Sequence, residues 1–224
     1  MRVALSRIRA GFMICSSLSF RVMDMPVRNT PFDQDELYNP RKAAQLIAYF
    51  ALREGGRAIE VLKAVKLAYL ADRESLRRWG TPILHEPRAS LPLGPVNRTT
   101  LDYIDGKHVD PSGWNSTLLP REKKVIRLQP TFVAEDIDEF SDGEVDLLND
   151  VWRKFGSYKS FPLAIWTHKA SNVPEWKDPN GSSKPIELID ILRAVGFPNP
   201  DAAIERIEEQ RVIERTFRNL ECQG

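Results

Sequence analysis

Residues Leu62 to Gly80, LKAVKLAYLADRESLRRWG, read as one long apolar helix with an aspartate near its middle and two arginines close to its end. At about 100° per residue, Val61, Leu62, Ala64, Val65, Leu67, Ala68, Tyr69, Ala71, Leu76 and Trp79 cover an arc of roughly 220°. A helix apolar over so wide an arc belongs at the centre of a fold. Asp72 falls close to the middle of that arc, so its carboxylate is expected to be buried. Burial of a carboxylate is costly unless hydrogen bonds or a cation compensate. The expected donors are backbone N–H groups of the proline-broken segment leading to LGPV, with a general acid or base as the competing role. On the opposite side Lys63, Lys66, Arg73 and Arg77 fall within about 80° of arc, with Leu70 among them. They are expected to form an exposed basic stripe around an apolar residue, a composition common in binding surfaces.

Working outward, Asn39 and Pro40 give a capping side chain followed by proline at the first helical position, which predicts a helix to about Glu54 closed by Gly55 and Gly56. Its buried face is Ala43, Leu46, Ile47, Phe50 and Ala51. The central helix is expected from about Ile59 to Trp79, stopped by Gly80 with Pro82 beyond. After it, four prolines in TPILHEPRASLPLGPVNRTTLDYI exclude a continuous helix. Gly94 and Pro95 read as a turn into a helix over Val96 to Ile104. The stretch Trp114 to Phe132 reads as a small hairpin or pair of strands. Ser141 to Glu144, SDGE, matches a capping box and opens a helix that buries Val145, Leu147, Leu148, Val151, Trp152 and Phe155. Further helices are expected over Phe161 to His168, from Lys184 and Pro185 to Gly196, and from Asn199 and Pro200 onward. The fold class is therefore mainly α, a compact bundle of about seven helices with a small β hairpin or short strands.

The 224 residues, 42% hydrophobic and 28% charged, suit one soluble globular domain with extensions. Residues 1–38 are set apart as an N-terminal extension, disordered or preceding a true start at Met23 or Met25. Its arginines and short apolar stretch imitate a signal peptide, but serines interrupt the stretch and no small-residue cleavage site follows. The formal net charge of +1 leaves no global footprint for a phosphate backbone, so operator DNA is not an expected partner. Cys15 and Cys222 lack disulfide or metal-ligand spacing, which favours a reducing cytoplasm. No run reaches the roughly 20 apolar residues that span a bilayer. His85, His108 and His168 form no H-E-x-x-H or H-x-H arrangement, and no nucleophile elbow, Walker A loop or dinucleotide turn is present. No metal, cofactor or enzymatic activity is expected. The one enzymatic alternative is a small hydrolase in which Asp72 and His168 converge.

Taken in order, NPRKAAQLIAYFALREGG, LKAVKLAYLADRESLRRWGTPI, LPLGPV and FSDGEVDLLNDVWRKFGSYKSFPLAIWTHKASNVPEW resemble the Panacea antitoxin domain family, which includes SocA-type and GepA-like proteins. The resemblance places the domain at 39–197 and leaves 198–224 as a C-terminal helix. It departs at Ala68, where bulkier residues are common, and in the loosely matched LHEPRASLPLGPV. It implies an antitoxin from a two-gene toxin-antitoxin module, often carried by a prophage or mobile element, that binds and neutralises a cognate toxin encoded by an adjacent gene. One branch of the family implies a different mechanism, delivery of the toxin to a Clp-type protease. Lys66, Asp72, Gly94, Pro95, His168 and Trp176 stand at family motif positions and are expected to be scaffold. Lys63, Lys66, Leu70, Arg73 and Arg77 are the residues expected to meet the toxin.

Overall fold

A computed structural model describes residues 37–110 and 112–221. Residues 1–36 of the N-terminal extension and both cysteines lie outside the described residues. Helix α1 runs Pro40–Arg53, and the Asn39 side chain accepts the Lys42 N–H at 3.1 Å, as a capping residue should. Strand β1, Ala58–Glu60, then leads into the central helix α2, Val61–Trp79. The first residues expected to be helical, Ile59 and Glu60, are thus extended instead. They pair with β4, Val125–Arg127, in an antiparallel register that sets Ile59 opposite Ile126, both buried. Tertiary pairing has overridden a helix start that had no capping side chain, since Glu60 makes no cap hydrogen bond. At the other end Gly80 has φ +70 and donates to the Leu76 carbonyl. A Cβ there would also stand 2.5 Å from the Phe197 ring, so glycine is required twice over.

The proline-broken segment folds into a hairpin of β2, Arg88–Leu91, and β3, Gly94–Asn97, with β5, Lys184–Ile186, on the far side of β2. This corrects two expectations. Gly94 and Pro95 are strand rather than turn; the chain reverses at Pro92 and Leu93, and helix α3 begins later, at Arg98–Ile104. Lys184 and Pro185 likewise open a strand, and the helix α7 is Leu188–Ala194. Both prolines sit on the outer strands of a sheet ordered β3-β2-β5, where a missing N–H costs no ladder bond and discourages edge-to-edge pairing. The hairpin expected within Trp114 to Phe132 is present but shorter. Trp114–Thr117 is a helical turn, α4, after which antiparallel bridges join Leu118 with Leu128 and Glu122 with Val125, and β4 pairs on its other side with β1.

The later helices follow the capping signals. Ser141 and Glu144 cap α5, Asp142–Phe155, reciprocally: Ser141 N donates to Glu144 Oε2 at 2.9 Å and Glu144 N to Ser141 Oγ at 3.4 Å. Helix α6 is Ser160–Thr167, and α8 is Pro200–Glu221. The architecture is mainly α with a few short strands, and eight α-helices fall among the described residues. Helix α2 packs against α1, α5, α6 and the β2–β3 hairpin. Ala64, Ala68 and Ala71 are fully buried in it, and such small side chains let neighbouring backbones approach closely. A second cluster, with Tyr69, Leu76, Val173, Leu192 and Ala203, joins α2 to α7 and the start of α8.

Candidate binding face

Asp72 is 1% exposed, and its donors come from the segment expected to supply them. Oδ1 accepts the Leu84 N–H at 2.8 Å. Oδ2 accepts from Arg88 Nε at 3.0 Å, from Arg88 Nη2 and from Asn97 Nδ2 at 3.2 Å. The dominant partner is thus a buried guanidinium, with one backbone N–H in support. Arg88 reaches onward to the Glu86 and Leu84 carbonyls at 2.6 and 2.5 Å. Glu86 in turn accepts from Thr100 N at 2.7 Å and Thr100 Oγ1 at 2.5 Å, and burial pushes its carboxyl up to about 7. The network pins the hairpin and the start of α3 to the middle of α2.

The other motif residues hold the same hairpin by its carbonyls. Lys66 Nζ donates to the Pro95 carbonyl at 2.7 Å, and burial pulls its pKa down to about 7. His168 sits on the Pro92 carbonyl through Nε2 at 2.8 Å and on the Ala164 carbonyl through Nδ1 at 2.6 Å. Trp176 Nε1 donates to the Leu91 carbonyl at 3.2 Å, and its ring meets that of His168 edge to face. Gly94, at φ +98, lies beneath them: a Cβ would stand 2.7 Å from Thr167 Oγ1 and 3.1 Å from Lys66 Nζ. The six motif positions are therefore one clamp on one hairpin. Asp72 and His168 are not joined, because every hydrogen bond of the carboxylate goes to Leu84, Arg88 or Asn97 and both ring nitrogens face carbonyls.

The basic stripe is not the exposed surface it was expected to be. Lys63 and Lys66 are both buried. Lys63 Nζ donates to the Glu54 carboxylate and to the Gly156 carbonyl at 2.7 Å, with the Trp152 ring 5.1 Å away. Leu70 is nearly covered, and Arg73 Nε donates at 2.6 Å to Glu175 Oε1, which also accepts the Tyr69 hydroxyl at 2.8 Å. The physical reason is that α2 has neighbours on every side along its first three turns, so long cationic side chains there act as struts to carbonyls and carboxylates. Arg77, in the last turn, has a side chain 52% exposed and is paired with Glu74 at 2.7 Å.

That last turn opens a groove. Leu70, Arg73, Glu74, Arg77 and Arg78 of α2, Asp150, Val151, Lys154 and Phe155 of α5, and Trp166 of α6 line a cavity of about 340 Å3. Its floor is apolar and its rim charged. Hydrogen bonds from Arg77 and Arg78 hold the Glu74 carboxyl below the usual range, and Arg78 does the same for Asp150. Lys154 Nζ stands 5.1 Å from the Phe155 ring and 5.9 Å from the Trp166 ring, a cation over an aromatic pair. A wider opening of about 610 Å3, lined by Arg53, Trp152 and Arg153 among others, continues from Arg78 and Asp150. Helix α6, which contributes Trp166 to the groove, exposes Phe161 (61%) and Ile165 (48%), one turn apart, and the tip of the β2–β3 hairpin exposes Leu93 (51%).

Of the residues expected to meet a partner, Leu70, Arg73 and Arg77 line this groove, whereas Lys63 and Lys66 lie in the core. The sequence does not single out Lys154 and Trp166, because they become neighbours of α2 only through the packing of α5 and α6. Arg88 is legible in principle: a buried aspartate demands a cation, and the proline-broken segment offers few. Among the described residues no helix is long and apolar enough to cross a membrane.

The family model described as antitoxin SocA-like, Panacea domain, matches residues 65–177, half of the chain. No curated protein and no solved structure matches. The matched stretch contains the whole hairpin clamp from Lys66 to Trp176 and the groove from Leu70 to Trp166. The chain belongs to the SocA-like antitoxin family, Panacea domain.

Proposed function

We propose that this protein neutralises a cognate toxin protein by binding it directly, in the cytoplasm and in stoichiometric amount, and that the face formed by α2, α5, α6 and the hairpin tip receives the toxin. The observation that carries the reading is that α6, which brings Trp166 into the arginine-rimmed groove, also exposes Phe161 and Ile165, all inside the family-matched stretch. Exposed large apolar side chains gathered beside a groove mark interaction surfaces on soluble proteins. The motif residues are taken up in holding the hairpin, which suits them to scaffold roles. A nanomolar complex requires about 12 kcal/mol of net binding free energy and typically about 800 Å2 buried on each partner. The groove alone is too small for that, so the toxin must also cover the outer side of α6. Inhibition then follows mass action, with no turnover.

A second reading, delivery of the toxin to a Clp-type protease, needs a second docking element. The outer half of α8 offers one, since Ile213, Phe217 and Leu220 are exposed at i, i+4 and i+7, outside the family-matched residues. One experiment separates the two. The product of the adjacent gene is expressed alone and together with this protein, growth is followed, and the pair is co-purified. Toxicity alone, rescue on co-expression and a stable complex support direct neutralisation. Rescue with disappearance of the toxin supports the adaptor, and a harmless, unbound neighbour removes both.

A further inference from the structure

The α2–α5–α6 groove has an electrostatic surplus that the fold does not use. Two carboxylates, Glu74 and Asp150, are shared among three arginines: Arg77 and Arg78 hold Glu74, and Arg78 and Arg153 hold Asp150. Lys154 has no carboxylate partner among the described residues; its amine rests over Phe155 and Trp166. Arg73 is already balanced by the buried Glu175. The opening is thus a positive rim around an apolar floor, with Arg77 and Lys154 exposed on it. We propose that the groove takes an acidic segment of the toxin, in which an aliphatic or aromatic side chain enters over Trp166 and flanking aspartate or glutamate carboxylates meet Lys154 and Arg77. This rests on the antitoxin reading and narrows it to the chemistry of the contacted segment.

Charge complementarity of this kind mainly selects the partner and speeds encounter, and it weakens with salt. A neutral segment would leave Lys154 without a counter-charge, and a basic one would also place cations against Arg77. A guanidinium fork and an ammonium on a cation–π seat both accept carboxylates without moving the backbone.

The probe is a fluorescein-labelled acidic peptide, SDELFEDS, compared by anisotropy with its counterpart SKKLFKKS on the full chain at low salt. The acidic peptide should bind at least about tenfold more tightly, lose affinity as salt is raised, and lose its advantage on R77E/K154E, which should prefer the basic peptide. Equal binding of the two peptides, no saturable binding of the acidic one, or a preference unchanged in R77E/K154E would overturn the proposal. K154E alone alters an exposed side chain that has no carboxylate partner among the described residues, so it provides a folded variant on which the same loss must appear in part. In growth rescue by co-expression, failure of R77E/K154E where the wild type succeeds supports the proposal. Rescue by the variant equal to wild type overturns the acidic-segment contact and leaves the antitoxin reading standing. Failure of wild type and variant alike overturns the antitoxin reading itself.

Discussion

The two ends of α2 carry similar residues and do opposite things. Along its first three turns, Lys63, Lys66 and Asp72 are buried, each with its hydrogen bonds directed to a carbonyl, a carboxylate, a guanidinium or an N–H inside the fold. In its last turn, Arg77 and Arg78 share Glu74 of α2, and Arg78 also reaches Asp150 of α5, at the mouth of an open groove. A charged side chain with fixed partners on all sides holds secondary structure in place. The same side chain with partners shared and solvent beside it is available to another molecule. Which role a cation has is set by how many elements pack around its turn of the helix, and the charge itself does not reveal it.

The sharpest way to break this comparison is Asp72→Ala. It leaves the Arg88 guanidinium buried without its carboxylate, which should cost about 3 to 5 kcal/mol of unfolding free energy in urea melts. A loss under about 1 kcal/mol would mean that the network does not hold the hairpin. Gly94→Ala comes next. A side chain at φ +98 placed 2.7 Å from Thr167 Oγ1 should cost about 2 to 3 kcal/mol, read as a lower midpoint in the same melts.

Lys66 supplies a pH test of intermediate size. Its pKa is lowered in the folded state to about 7 from an ordinary value near 10.5. Between those values the unfolded chain binds the proton and the folded chain releases it, so folding stability rises with pH across that window. From pH 7 to pH 9 the wild type should gain roughly 2 kcal/mol relative to Lys66→Met. Glu86 acts in the opposite sense at lower pH. Its carboxyl, raised to about 7 from 4.5, is protonated in the folded chain and ionised in the unfolded one, so stability falls as pH rises through that interval. Glu86→Gln should flatten that fall, and an unchanged profile would place Glu86 in water.

The smallest stability effect belongs to the other end of the comparison. Arg77→Ala with Lys154→Ala should change unfolding free energy by no more than about 0.5 kcal/mol, since exposed charges contribute little. The same pair of substitutions should weaken rescue and co-purification of the toxin. Destabilisation on the scale of Asp72→Ala would place these residues in the scaffold and dissolve the distinction.

Much of the scaffold was legible because it is local. Asn39 with Pro40, Ser141 with Glu144, and Gly80 each announce a helix end through groups within four residues, and each end lies where the capping chemistry puts it. Asp72 was legible because a carboxylate in a broad apolar arc must be buried and compensated. The failures all involve long-range partners. Pro95 and Pro185 suit a turn or a helix start as well as an edge strand, and only pairing with β2 decides. Lys63 and Lys66 read as solvated because a helical wheel shows one helix, whereas Gly156 and Pro95 reach them from distant segments and Glu54 from the end of α1. The groove was half visible: Leu70, Arg73 and Arg77 come from one helix, and Lys154 and Trp166 from two others.

Hydrogen exchange of the protein, alone and in complex with the co-expressed product of the adjacent gene, tests the central claim most directly. Added protection is predicted at the last turn of α2, the C-terminal half of α5, α6 and the Pro92–Leu93 hairpin tip, with the Asp72 network unchanged. Protection confined to α8, or none on α2, α5 and α6, would contradict the account.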